Sequence, residues 1–417
     1  MLGFWDVFCL GVNAIIGSGI FLFPGTLAAL TGPASVLAFL TCGLLLVSVA
    51  LCYAELGGML EGSGGSVLYV REAFGPATGF AMGFMAWATA IFSWATVASA
   101  LSSQLGYFHP AFTQPLLVKS IAVACLCAFG AVNYRGIRPG AWTVDALTVA
   151  KVLPLVLFVL AALPHARAAS FQPFFSGEGR FGYSIFLCLW ALQGFEVAPI
   201  PAGEVRNARS TVPKAVVASL VASAVFYGLI QAGALAVHPG LAKSGQRPLV
   251  EAAGLCLGPW AAAWMAGAGT VSMLGFTAGA ALGAPRYLSA LGTGTMRRAA
   301  LDRLHPRFAT PHRAIVVTTA AGVLLVVALD FGRLVDLSNL AVVCQYLATC
   351  LAFCRLRLAR PEARRTFKAP APWVVGPLGC AVSLWLMTQV TLKEFLLAGA
   401  LLAAGFLLRA GVERADG

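Results

Sequence analysis

The chain has 417 residues, of which 59% are apolar and 11% charged, less than half the ~25% charge of an ordinary soluble domain. At a mean hydropathy of +0.85, so few charges cannot cover the apolar surface in water, and the same figures exclude a disordered chain. The formal net charge is +12, but the basic residues sit between apolar runs rather than on a face interleaved with aromatics, so nucleic acid is not an expected partner.

Apolar runs of about 20 residues cross a bilayer, and lipid forces them into helices because the backbone must satisfy its own hydrogen bonds. Twelve are predicted, at 6–29, 35–57, 77–105, 116–133, 142–163, 182–203, 213–237, 257–289, 313–330, 333–355, 372–391 and 394–410. They imply a single all-α integral membrane domain with no soluble domain beside it. The eleven cysteines lie mostly within these runs, as small hydrophobes. Cys125 and Cys127 lack a second His or Cys cluster, so no metal site, disulfide or cofactor is expected.

Basic residues set the orientation. Of 28 Lys and Arg, 20 fall in connections on the N-terminal side, among them Arg135, Arg206, Arg313, Arg357, Arg365 and Lys368. Seven fall on the opposite side, and Lys151 lies inside the fifth run. This asymmetry predicts a multi-pass protein of the cell membrane with both termini in the cytoplasm.

Two runs carry helix-breaking sequences at mid-span. The first reads Ile15-Ile16-Gly17-Ser18-Gly19-Ile20, with Pro24 beyond. The sixth reads Trp190-Ala191-Leu192-Gln193-Gly194-Phe195-Glu196, with Pro199 beyond. Glycines there weaken a helix, and breaks at corresponding positions of two five-span halves point to a transporter with inverted repeats. An unwound turn at membrane depth frees N–H and C=O groups that need polar partners. The amides opening the following half-helix suit a carboxylate, and the freed carbonyls suit an ammonium. An α-amino acid brings both. Gly17-Ser18-Gly19 alone also fits close helix packing.

The run at 15–21 (IIGSGIF), the stretch at 189–213 (LWALQGFEVAPIPAGEVRNARSTVP) and Pro285-Arg286-Tyr287-Leu288 with the basic residues after it resemble signatures of the amino acid–polyamine–organocation permeases. The resemblance covers nearly the whole chain. It implies a LeuT-type fold of two inverted five-helix repeats, 6–163 and 182–355, with two extra helices at 372–410. It also implies that amides near Gly17, Ser18 and Gly19 hold a substrate carboxylate, and that carbonyls of Ile15, Trp190 and Gln193 receive its ammonium. Gly194 and Phe195 complete the second break. Trp190 stands where the family places an aromatic gate; ordinary packing is the other reading. Gln193 departs from the aliphatic residue many members carry there, and either contacts substrate or bonds to a neighbouring helix.

Ionisable residues inside a membrane are costly and usually functional. Lys151 lies about 13 Å of helix beyond Trp142, too deep to reach the interface comfortably. The resemblance implies that its ammonium stands where sodium-coupled relatives hold an ion between helices 1 and 8. Glu196 reads either as a proton site or as a hydrogen-bonded brace for the unwound turn. Glu55 and Glu204 read as interfacial partners of arginines, and Asp145 as solvated.

The resulting expectation is a secondary active transporter of L-amino acids, neutral ones above all, independent of sodium and either proton-coupled or an exchanger. A polyamine or cationic amino acid antiporter is the alternative. An enzyme is not expected, since no nucleophile–base pair or metal cluster stands at bilayer depth, nor is a channel, which needs a filter or charge rings. The expected partners are the amino acid and the lipid bilayer, with no obligate protein partner.

Overall fold

The computed structural model describes residues 3–60, 64–136, 141–197, 205–294 and 301–414, apart from the side chains of 141–148, 208, 209, 292–294, 401, 404 and 407–414. Pro199 and Glu204 therefore lie outside the described residues, as does the side chain of Asp145.

Among the described residues the regular structure is helical. In chain order the α-helices are α1 (Phe4–Ile15), α2 (Gly19–Thr31), α3 (Ser35–Met59), α4 (Ser66–Phe74), α5 (Pro76–Phe108), α6 (Pro115–Tyr134), α7 (Ala141–Ala162), α8 (Phe181–Leu192), α9 (Ala208–Val237), α10 (Pro248–Leu257), α11 (Pro259–Gly294), α12 (His312–Ala328), α13 (Phe331–Ala359), α14 (Pro372–Met387) and α15 (Leu392–Arg414). Six stretches are long and apolar enough to cross a membrane: Gly19–Met59, Pro76–Phe108, Pro115–Tyr134, Ser210–Val237, Pro259–Leu291 and Phe331–Ala359. Shorter apolar helices lie at Phe4–Ile15, Val149–His165, Phe181–Val197, Pro248–Leu257 and His312–Ala328, and α14 meets α15 at 110°.

The helices gather into two groups. In one, α3 lies along α9 and α8, and α1 along α9. In the other, α5 packs with α11, α6 and α12. α13 and α14 pack together; α13 also lies along α5, and α14 along α3. The seams are close because small residues line them. A Cβ on Gly43 of α3 would stand 2.4 Å from the Cβ of Ala224 on α9, and one on Gly130 of α6 would stand 2.6 Å from Thr319 Oγ1 on α12.

Exposed large hydrophobics cover the outward faces, among them Leu44, Leu116, Trp260, Leu324 and Leu396. A soluble fold would bury these side chains; here they are what lipid covers. Polar side chains instead turn inward and pair. Ser93 Oγ and Ser338 Oγ are 2.8 Å apart, Asn133 Nδ2 donates to Ala281 O at 2.7 Å, and Asn339 Nδ2 donates to Phe186 O at 2.9 Å.

Pro24 sits inside α2 without ending it. Its ring removes one N–H from the ladder. Gln231 of α9 fastens this turn, its Nε2 donating to Pro24 O at 3.1 Å and to Ser35 Oγ at 2.8 Å.

Candidate functional site

The first run breaks where the glycines stand. α1 ends at Ile15, Ile16 leaves helical geometry at φ −74°, ψ 85°, and α2 begins at Gly19. The turn closes through Gly17 N–H donating to Ile15 O at 2.8 Å and Phe21 N–H to Ser18 O at 3.1 Å. The carbonyls around the gap are met by side chains from three other helices. Lys151 of α7 donates from Nζ to Asn13 O at 2.9 Å and to Ile16 O at 2.7 Å. Ser272 of α11 donates from Oγ to Gly17 O at 3.1 Å, with Ile16 O at 3.4 Å. Tyr227 of α9 donates from its hydroxyl to Ile15 O at 3.1 Å.

The second break holds itself. α8 ends at Leu192; Gln193 is extended at φ −65°, ψ 152°, and Gly194 adopts φ +126°. A short 3-10 turn, Phe195–Val197, follows. Glu196 folds back over it: its Oε2 accepts from Gly194 N–H at 2.8 Å and from the Tyr346 hydroxyl of α13 at 3.0 Å. The carboxylate thus ties the unwound turn to α13. Phe195 packs against Tyr346 with ring centroids 5.4 Å apart and planes tilted by 32°, and Tyr53 of α3 meets both edge-on.

The two breaks face each other at backbone contact. A Cβ on Gly194 would stand 2.7 Å from the Ala14 carbonyl carbon and 2.8 Å from Ile15 N. One on Gly19 would stand 2.8 Å from Ala191 Cα. Only glycine permits either approach, and the positive φ at Gly194 adds a second reason there. Trp190 lies across the gap, its Nε1 3.4 Å from Ser18 Oγ, with both residues buried. Phe276 of α11 flanks Gly17. Gln193 Oε1 is buried with no hydrogen-bond partner among the described residues.

The structure thus brings together Ile15, Gly17, Ser18, Gly19, Lys151, Trp190, Gln193, Gly194, Phe195 and Glu196. One detail differs from the sequence expectation: the Ile15 carbonyl, assigned to a substrate ammonium, already accepts from Tyr227 and Gly17. Glu55 pairs with arginines as expected, and does so at 1% exposure. Sequence reasoning missed Tyr227, Ser272 and Tyr346. A hydroxyl in an apolar run is too common to single out, and only the fold shows which ones point at a break.

Lys151 fits its surroundings chemically. An ammonium has three donors and no acceptor, and it meets the carbonyls that an unwound turn leaves open. The amides of Gly19 and Ile20, at the opening of α2, have no intrahelical acceptor by position, and the helix dipole makes that end attractive to an anion.

A sequence profile of the amino acid permease family matches residues 2–398. The chain belongs to the amino acid permease family. Among similar proteins of this class, "Branched-chain amino acid permease BcaP" of Bacillus subtilis is 26% identical, covering 95% of this chain and 90% of that protein. "b(0,+)-type amino acid transporter 1" of Mus musculus is 26% identical over 94% of this chain and 83% of its own length. A "Probable polyamine transporter" of Arabidopsis thaliana is 28% identical over 88% of this chain and 77% of its own. The permease is accordingly a membrane transport protein for amino acids or related organic cations.

Proposed function

We propose that this permease is a secondary active transporter of neutral L-amino acids, working by alternating access without sodium, through proton coupling or exchange. The observation that carries the reading is the Lys151 ammonium on the carbonyls of Asn13 and Ile16. It supplies a positive charge, proton-sensitive or constitutive, where a broken helix otherwise needs a cation, so a bound metal ion is not required to complete the turn. The substrate carboxylate docks on the amides that open α2, beside the Ser18 hydroxyl. Its ammonium docks on the carbonyl side of the second break, where the unpaired Gln193 Oε1 offers an acceptor. Trp190 closes over the substrate.

In this reading the helices form twelve spans: α1 with α2, α3, α5, α6, α7, α8 with the turn after it, α9, α11, α12, α13, α14 and α15. The spans of residues 6–163 and 182–355 are the two repeats, 372–410 adds two helices, and both termini are cytoplasmic in the cell membrane. Access alternates as one helix group rocks against the other around the breaks.

The match to a branched-chain permease over nearly the full chain supports a neutral substrate. The match to a plant protein described as a polyamine transporter favours the second reading, an organic dication or cationic amino acid. That reading leaves the amides at Gly19 and Ile20 without an anion. Uptake by proteoliposomes, with labelled leucine, arginine, glutamate and putrescine, decides between them when run with and without sodium, a pH gradient and internal amino acid. Sodium-free leucine uptake is expected. A strict sodium requirement overturns the coupling assignment, and putrescine uptake without leucine uptake overturns the substrate class.

A further inference from the structure

A second polar centre lies away from the breaks, at the end of α3 on the arginine-rich side. Glu55 is buried there. Its Oε2 accepts from Arg357 Nη2 at 2.6 Å and from Ala369 N–H at 2.8 Å, and its Oε1 lies 3.0 Å from Arg365 Nε. Arg365 also folds over the end of α13. Its Nη1 donates to Pro361 O and Ala363 O, both at 3.0 Å, and its Nη2 to Leu356 O at 3.2 Å and Arg360 O at 2.9 Å. Thr366 Oγ1 donates to Gly58 O at 3.2 Å, and Arg360 Nη2 pairs with Glu72 Oε2 of α4 at 3.2 Å.

This cluster ties α3, which packs with α9 and α8, to the end of α13, which lies along α5 and also touches α3 and α8. α13 is pinned twice, through Tyr346 to Glu196 at the second break and, eleven residues on, through Arg357 to Glu55 at its end. A buried ion cluster is poor permanent glue, because the desolvation cost of the charges offsets much of their attraction. At a seam that opens to water the same property is useful. Each separated charge regains its hydration, whereas a parted apolar seam exposes surface that water disfavours.

We infer that Glu55, with Arg357 and Arg365, forms a reversible latch that bridges the two helix groups on the arginine-rich side and holds that side closed in this conformation. Glu55 is a positioning residue: it touches no substrate and acts through α13 on the second break. The inference rests on the transport reading, and it deepens that reading by naming what must part before release to the cytoplasm.

The test uses the full-length protein in proteoliposomes, with labelled leucine presented in turn to each face, and hydrogen–deuterium exchange of the same protein in nanodiscs. Glu55→Gln weakens the ion pairs. Arg357→Gln is the milder variant, leaving Glu55 with Arg365 and the Ala369 amide. For both, the apparent KM at the outer face should rise, on the order of tenfold for Glu55→Gln, while KM at the cytoplasmic face holds or falls. Amide exchange at residues 15–20 should quicken although those residues are remote from the substitution. A parallel change of both KM values, or faster exchange confined to 366–371, means a purely structural role and overturns the latch. If the wild-type protein carries no leucine, the transport reading fails by itself. The latch is then decided by exchange at 15–20, where faster exchange upholds it and unchanged exchange overturns it.

Discussion

In the first break the carbonyls of Asn13, Ile15, Ile16 and Gly17 are met by Lys151, Tyr227 and Ser272 from three other helices. The second break is instead held by its own Glu196, with Tyr346 as the donor from another helix among the described residues. Both satisfy backbone groups that lipid cannot, but the consequences differ. The first break depends on where α7, α9 and α11 stand, so a movement of those helices changes its hydrogen bonding directly. The second is largely self-contained and can travel as a unit. The pair therefore combines a turn that responds to helix rearrangement with one that keeps its shape.

The facing of the two breaks is the part most easily destroyed. Gly194→Ala forces a Cβ into the Ala14–Ile15 backbone at a positive φ. It should cost at least ~3 kcal/mol from backbone strain and overpacking together. Thermal inactivation in detergent checks this, and a variant as stable as the parent removes the backbone contact from the account.

Lys151→Ala comes next, and it breaks the first turn alone. It removes the Nζ donor from the carbonyls of Asn13 and Ile16 and leaves Ile16 O with Ser272 Oγ at 3.4 Å. Charge-assisted bonds of this kind contribute about 1.5–3 kcal/mol each, so uptake should fall on the order of 100-fold, using ~1.4 kcal/mol per factor of ten. Equilibrium binding of leucine should change far less, and the two measurements together separate a coupling role from a binding role.

Tyr227→Phe removes one neutral bond to Ile15 O, worth about 1 kcal/mol. Roughly fivefold slower uptake is expected, with the effect confined to the first break. Smallest of all is Glu196→Gln, since the amide oxygen can still accept from Gly194 N–H and the Tyr346 hydroxyl. Stability should stay within ~0.5 kcal/mol of the parent, as for a substitution that keeps its acceptor. Uptake driven by a pH gradient should persist; its loss at unchanged stability, with leucine counterflow retained, marks Glu196 as a proton carrier instead of a brace.

Much of this was legible in the sequence because glycine, proline and charge are conspicuous in apolar runs. Gly17, Gly19 and Gly194 mark the unwound turns, and Lys151 is the one basic residue deep inside a predicted span, the others standing within about a turn of a span end. Apolar runs placed most of the helices within a few residues, although the short α4 and α10 fall outside them. The partners of the breaks were not legible. Tyr227, Ser272 and Tyr346 differ in no visible way from Tyr53 or Ser219, and only the crossing of helices aims them at the gap. Glu55 was legible as a partner of arginines but not which ones: the connection after α13 folds over it and brings Arg365 and the Ala369 amide.

The central claim is that a zwitterion bridges the two breaks, its carboxylate on the amides opening α2 and its ammonium on the carbonyl side of the second break. The most direct measurement is competition against sodium-free leucine uptake by two isosteres that each lack one charge, 3-methylbutylamine and 4-methylpentanoate. The account predicts that unlabelled leucine competes and that neither isostere does. Competition by the amine at leucine's own concentration would contradict it, because the carboxylate would then contribute nothing to recognition.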